Sequence, residues 1–163
     1  MPMLMVMRHA KSSWSDATTP DHDRPLNTRG RSAAGDMGRF AARNGFLPDV
    51  VLASDSRRTR ETVELWADAA DWHGPVDHLA ELYHASAAGL LEVARLARAE
   101  MAGADRVMLV AHNPGIEDLV STVCDDLVAI PTGTLAVMEH ASDDLDPSGL
   151  RLVGIQHPRD LAD

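Results

Sequence analysis

The sequence predicts an α/β fold, a three-layer α/β/α sandwich with a mostly parallel central sheet and helices on both faces. Two observations predict it. Apolar runs of strand length alternate along the chain with stretches whose apolar residues recur at helical spacing, the alternation that builds a sheet covered on both sides. Three of those runs end abruptly in polar clusters, at residues 8–12, 54–62 and 112–115. In open α/β sheets, ligands sit beyond the carboxyl ends of the strands.

The elements follow in order. Met3 to Met7 is an apolar run suited to a fully buried strand, and it stops at Arg8-His9-Ala10-Lys11-Ser12. Residues 13–26, with Trp14, Pro20, Pro25 and several aspartates, read as an ordered loop. Asn27 or Thr28 then caps a helix carrying Ala33, Met37, Phe40 and Ala41, and Asn44-Gly45 stops it. Asp49 to Ala53 is a second buried strand, followed by three N-cap types, Ser54-Asp55-Ser56, and a helix with Val63, Trp66, Ala67 and Ala70 on one face. Val76 to Leu79 is a short strand, and Leu90, Ala94, Ala97 and Met101 mark a third helix. Arg106 to Ala111 is the clearest strand. A fourth helix carries Ile116, Leu119, Val120 and Val123, with Pro114 near its first turn. Thr134 to Glu139 and Leu150 to Ile155 complete the set as strands around a polar loop from Ser142 to Gly149.

Bulk properties bound the function. The 163 residues fit one domain, 1–163, with 45% apolar and 25% charged residues, the balance of a folded soluble chain. No apolar run is long enough to span a bilayer, and the N-terminus carries no cleavable leader pattern. The single cysteine, Cys124, has no partner for a disulfide or a CxxC pair, so a reducing cytoplasm is the expected setting. A formal charge of −10, from 15 Lys plus Arg against 25 Asp plus Glu, repels nucleic acid and anionic lipid. The place where arginines gather is therefore informative.

That place is the set of strand-end clusters, which together offer Arg8, His9, Arg57, Arg58 and His112. The combination suits a phosphoryl group. Guanidinium groups bind its oxygens with a fork, helix N-termini after Ser54 and Asn113 add N–H donors, and two histidines divide attack from stabilisation of the moving charge. Each residue also has a structural alternative: Ser54 and Thr62 as helix-capping and packing groups, Asn113 as a cap, Arg57 and Arg60 as surface charges. The histidines at 22, 73, 78, 84, 140 and 157 show no metal-ligand spacing.

Four motifs in order resemble the histidine phosphatase superfamily, which has a phosphoglycerate mutase-like fold. They are Arg8-His9-Ala10 after a buried strand, Leu26-Asn27-Thr28-Arg29-Gly30, Ser54-x-x-x-Arg58-x-x-x-Thr62, and Val110-Ala111-His112-Asn113-Pro114. The short length, the Arg-His-Ala-Lys-Ser opening and His-Asn-Pro-Gly are most similar to the SixA-type phosphohistidine phosphatases. The resemblance implies His9 as a nucleophile that is transiently phosphorylated, Arg8 and Arg58 as the phosphate clamp, and His112 as the second histidine. Ser12 and Asn113 join them as substrate-binding residues, and no metal or organic cofactor is required. Glu81 stands where many relatives place a general acid; Asp21, His22 and Asp23 are the other candidate proton donors.

Three functions are thus in view. The first is hydrolysis of phosphohistidine in a protein, and the second is hydrolysis of small phosphate monoesters on the same site. The third, from another class, is a phosphate-recognising binding module without catalysis. Neither nucleic acid nor membrane is an expected partner.

Overall fold

The computed structural model describes residues 2–142 and 144–161; Met1, Asp143, Ala162 and Asp163, which fall within the expected 1–163 span, lie outside the described residues. Six strands form one sheet: β1 (Met3–Arg8), β2 (Val50–Ser54), β3 (Val76–Leu79), β4 (Arg106–Ala111), β5 (Leu135–His140) and β6 (Leu150–Gln156). Four helices accompany them: α1 (Thr28–Arg43), α2 (Arg57–Ala70), α3 (Ala87–Glu100) and α4 (Gly115–Cys124). The order across the sheet is β3-β2-β4-β1-β5-β6. Strands β3, β2, β4 and β1 pair in parallel, β5 runs antiparallel to β1, and β6 is antiparallel to β5. The mostly parallel sheet expected from the sequence is therefore present, with β5 the one reversed strand among those described.

Successive side chains on a strand leave on opposite faces, so each buried strand must be apolar at every position. Strands β1, β2 and β4 meet that demand. Leu4, Val6, Leu52 and Leu109 face one cluster completed by Leu90 and Ala94 of α3 and Ile116 and Leu119 of α4. Met5, Met7, Val51 and Met108 face the other, completed by Met37 of α1 and Val63 and Trp66 of α2. Each such side chain contributes about 1.5–3 kcal/mol by leaving water, which holds helices on both faces of the sheet.

Capping settles where two helices begin. The Asn27 side chain accepts from Gly30 N at 2.8 Å, and Ser86 Oγ accepts from Gly89 N at 3.1 Å. Gly30 also permits close approach: a Cβ there would stand 2.1 Å from the Lys11 carbonyl oxygen. The start of α1 thereby rests directly on the chain leaving β1, where Asn27 N donates to Lys11 O at 2.9 Å.

Candidate active site

The carboxyl ends of β1, β2 and β4 converge, and the side chains beyond them form one pocket of about 440 Å³ whose walls include Arg8, His9, Ser12, Arg58, His112 and Asn113. The backbone fixes its floor. His9 N donates to Ala111 O at 3.1 Å, and Gly133 N donates to His9 O at 2.9 Å from the turn before β5. Gly133 takes φ +77°, a conformation glycine adopts without a Cβ penalty. Ala10 N donates to Thr62 Oγ1 at 3.0 Å, and that hydroxyl donates to Arg58 O at 2.7 Å. Arg58 and Thr62 are four residues apart on α2 and share a face, so Thr62 ties the turn after β1 to the helix that carries Arg58.

His9 is buried, and its Nδ1 lies 2.7 Å from Ala10 O. A carbonyl oxygen only accepts, so Nδ1 carries the hydrogen and the neutral ring holds its lone pair on Nε2. Arg58 Nε donates to that nitrogen at 3.3 Å. Burial first, with the charges of Arg58 and Arg8 adding to it, lowers the His9 pKa to about 4. At neutral pH the ring is uncharged.

His112 is the second buried imidazole, with its ring centroid 5.1 Å from that of His9. Arg58 Nη2 donates to its Nδ1 at 3.3 Å, which leaves Nε2–H to donate to Ser54 Oγ at 2.8 Å. Burial, then the neighbouring His9 and Arg58, lowers its pKa to about 3. Phosphoryl anion arriving beside it would reverse that shift and make Nδ1 a donor as well.

Arg58 is buried and held from the opposite side: Nη1 donates to Asp21 O at 2.7 Å and Nη2 to Asp21 Oδ2 at 3.1 Å. Asp21 is kept well ionised, first by a short hydrogen bond from the Tyr83 hydroxyl and then by Arg58. Arg8 donates through Nη1 to Ile130 O at 3.0 Å, while its Nε is buried without a partner among the described residues. Burial lowers the Arg8 pKa, Glu117 raises it and Arg58 lowers it. Two guanidinium groups thus sit beside two neutral imidazoles at the head of a sheet, an arrangement whose chemistry suits a tetrahedral oxyanion.

Most of the residues singled out from sequence meet in this pocket, with differences in detail. Ser12 lines it with no side-chain hydrogen bond among the described residues. Asn113 lines it too, but its amide is engaged: Nδ2 donates to Ile130 O at 2.9 Å and to Glu117 Oε2 at 3.2 Å, and Oδ1 accepts from Glu117 N at 3.3 Å. Glu81 is not brought to the site. It is exposed and lines a separate cavity with Leu52, Asp77 and Leu79, because the 3-10 turn Ala80–Leu82 buries Leu82 and leaves its neighbour outside. Asp21, of the three loop candidates, is the one on the pocket wall, as an ionised hydrogen-bond acceptor. His22 instead pairs with Asp55 at 2.9 Å, which raises its pKa.

Sequence reasoning missed Tyr83 as the partner of Asp21 and Ser54 as the anchor of His112. Both bonds join residues far apart in the chain, at separations of 62 and 58, so no local pattern marks them. Among the described residues, no three His, Cys, Asp or Glu side chains gather as a metal site, and no helix is long and apolar enough to cross a membrane.

Comparison with known proteins points the same way. The family model described as histidine phosphatase superfamily, branch 1, matches residues 4–102. An uncharacterized protein of Mycobacterium tuberculosis is 31% identical over 94% of this chain and 100% of its own length. The crystal structure of an Agrobacterium tumefaciens protein provisionally named phosphohistidine phosphatase SixA superposes with a TM-score of 0.82 at 27% identity, covering 96% of this chain and 98% of the other. One from Nakamurella multipartitia, named likewise, superposes with a TM-score of 0.78 at 30% identity, covering 96% of each.

Proposed function

This chain belongs to the histidine phosphatase superfamily, and from that premise we propose that it is a phosphatase of phosphohistidine in a protein, working through a phosphoryl-enzyme on His9. The observation that carries the mechanism is the hydrogen bond from His9 Nδ1 to Ala10 O. It fixes the tautomer that puts a lone pair on Nε2, and it remains available to stabilise the ring when phosphorylation makes it cationic.

His9 Nε2 attacks phosphorus in line, forming an N–P bond as the bond to the leaving group breaks. Arg8 and Arg58 bind the phosphoryl oxygens throughout. His112, protonated on both nitrogens once the anion is beside it, donates to Ser54 Oγ and to an equatorial oxygen. Water then attacks phosphorus in the phosphorylated His9, forming an O–P bond as the N–P bond breaks; the protons of the water leave with inorganic phosphate, and His9 returns as neutral imidazole. No step calls on a metal, so EDTA should leave turnover intact.

The choice of substrate rests on the state of the carboxyl group lining the pocket. An alkoxide leaving from a monoester needs a proton, yet Asp21 is held ionised. A phosphorylated imidazole that is already protonated leaves as a neutral ring and needs none. Hydrolysis of small monoesters remains the alternative. Comparing kcat/KM on a phosphohistidine peptide with that on an alkyl phosphate separates the two, since only the alkoxide needs a proton as it leaves: a higher value on the peptide fits the first reading, and a higher value on the ester fits the second.

The decisive experiment is intact mass after brief exposure to phosphoramidate at neutral pH, in wild type and His9→Ala. An acid-labile, alkali-stable phosphoryl adduct absent from the variant is expected. No adduct, with phosphatase turnover equal in both proteins, would overturn the mechanism; no turnover in either would bring forward a binding module.

A further inference from the structure

Beside the pocket of His9 lies a second groove, of about 210 Å³, whose walls include Lys11, Arg29, His157 and Arg159. Lys11, Pro131 and Thr132 line both, so the two adjoin along one wall. No acidic residue lines the groove, although acids outnumber bases in this chain by 25 to 15.

The cations of this groove differ from the others on the surface. Arg31 and Arg57 both reach Glu61, Arg39 pairs with Asp36, and Arg151 with Glu139. Lys11 and Arg29, by contrast, have no side-chain hydrogen bond or ion pair among the described residues. Arg159 touches Asp160 at 3.9 Å, with both side chains largely exposed. A protein with an excess of carboxylates has two cations with neither a side-chain hydrogen bond nor an ion pair among the described residues, and both stand next to the pocket of His9.

The groove is also built. Asn27 N holds the Lys11 carbonyl while Gly30 lets α1 rest on it. On the far wall, His157 Nδ1 and Thr134 Oγ1 share a hydrogen bond at 2.8 Å, and a Cβ on Gly133 would come within 2.8 Å of the Pro158 ring. Backbone close to the site thus positions both sets of cations.

We propose that this groove binds an acidic segment flanking the phosphorylated residue of the protein substrate, an inference that rests on the phosphatase reading above. The form of the cations selects the occupant. Arg8 and Arg58 are pinned by carbonyls and a carboxylate, as a compact phosphoryl group requires. Lys11, Arg29 and Arg159 are exposed, long and spread along a groove, which suits several carboxylates on an extended chain. Because the chain as a whole carries a formal charge of −10, a groove lined by cations and no carboxylate attracts such a segment, and docking there presents the neighbouring phosphoryl group to His9.

The test uses two phosphohistidine peptides alike except for flanking Glu or Gln residues. In wild type at low salt, kcat/KM should favour the acidic peptide by roughly fivefold, the yield of two or three exposed ion pairs. The preference should shrink at about 0.5 M NaCl, where such pairs are screened, and fall toward one in Arg29→Gln/Arg159→Gln. A wild-type ratio near one, or a ratio the double variant leaves intact, overturns the inference. So does a preference confined to small bisphosphorylated esters. The phosphoramidate adduct on wild type keeps the two readings apart: no adduct removes the phosphatase mechanism, whereas an adduct with a flat peptide ratio removes only the acidic-segment groove.

Discussion

Acidifying wild type and His9→Gln from about pH 7.5 to about pH 5 in parallel urea titrations isolates the free energy of keeping His9 uncharged. Native His9 and His112 stay neutral down to about 4 and about 3, chiefly through burial, whereas an unfolded histidine takes up its proton near about 6.5. Between those values the unfolded state binds more protons. The contribution to stability is therefore complete above about pH 6.5 and is lost as pH falls toward the native values. At about pH 5 each unfolded imidazole is about 97% protonated, which lowers the unfolded state by about 2 kcal/mol per histidine, or about 4 kcal/mol for the pair. With a urea m-value of about 2 kcal/mol/M, the wild-type midpoint should drop by about 2 M. His9→Gln, which cannot titrate at that position, should drop by about 1 M. His22, whose pKa is raised by Asp55, works in the opposite direction but equally in both proteins. A wild-type drop below about 0.5 M, or an equal drop in the variant, would refute the claim that burial holds these rings neutral.

Arg58→Lys retains a charge but loses the fork that meets His9, His112 and Asp21 together; kcat/KM should fall by about 10²–10³ in a phosphate-release assay. Gly30→Ala drives a methyl group to 2.1 Å from a backbone oxygen; the cost of about 1–3 kcal/mol should lower Tm by about 3–10 °C. Gly35→Ala, where a Cβ meets nothing nearer than 3.7 Å, is the control and should not lower Tm.

The layers were legible because burial on both faces leaves a direct mark. Met3–Met7, Val50–Ala53 and Val107–Ala111 are unbroken apolar runs, and each became a strand of the sheet. Direction left no such mark: Thr134 to Glu139 reads as a strand from composition, but the reversal of the resulting β5 next to β1 is a property of pairing. The family resemblance, through the motif Ser54-x-x-x-Arg58, picked the arginine that lines the pocket over its neighbour Arg57, which lies on the solvent side against Glu61. Glu81 shows the limit of carrying a position over by resemblance. One turn of 3-10 helix decides which side of the chain faces the pocket, and Leu82 takes the buried side. Asp21 and Tyr83 meet across 62 residues, so their pairing emerges only when the loop before α1 folds over the end of β3.

The distances along the chain that separate the site's partners also decide when it comes into being. Arg58 reaches His9 across 49 residues, Ser54 reaches His112 across 58, and Arg8 reaches Ile130 across 122. During synthesis, a chain that has not yet delivered residue 130 holds Arg8, His9, Arg58 and His112, yet lacks the carbonyl that anchors Arg8 and the Gly133 amide that grips His9 O. Helices α1 to α4 are complete in sequence by then, since α4 ends at Cys124. Loops this long close late, after local structure has formed. Completion of the candidate site is therefore deferred until residues 130–133 have been made, and any shortened product of translation that stops before them is left without the assembled site.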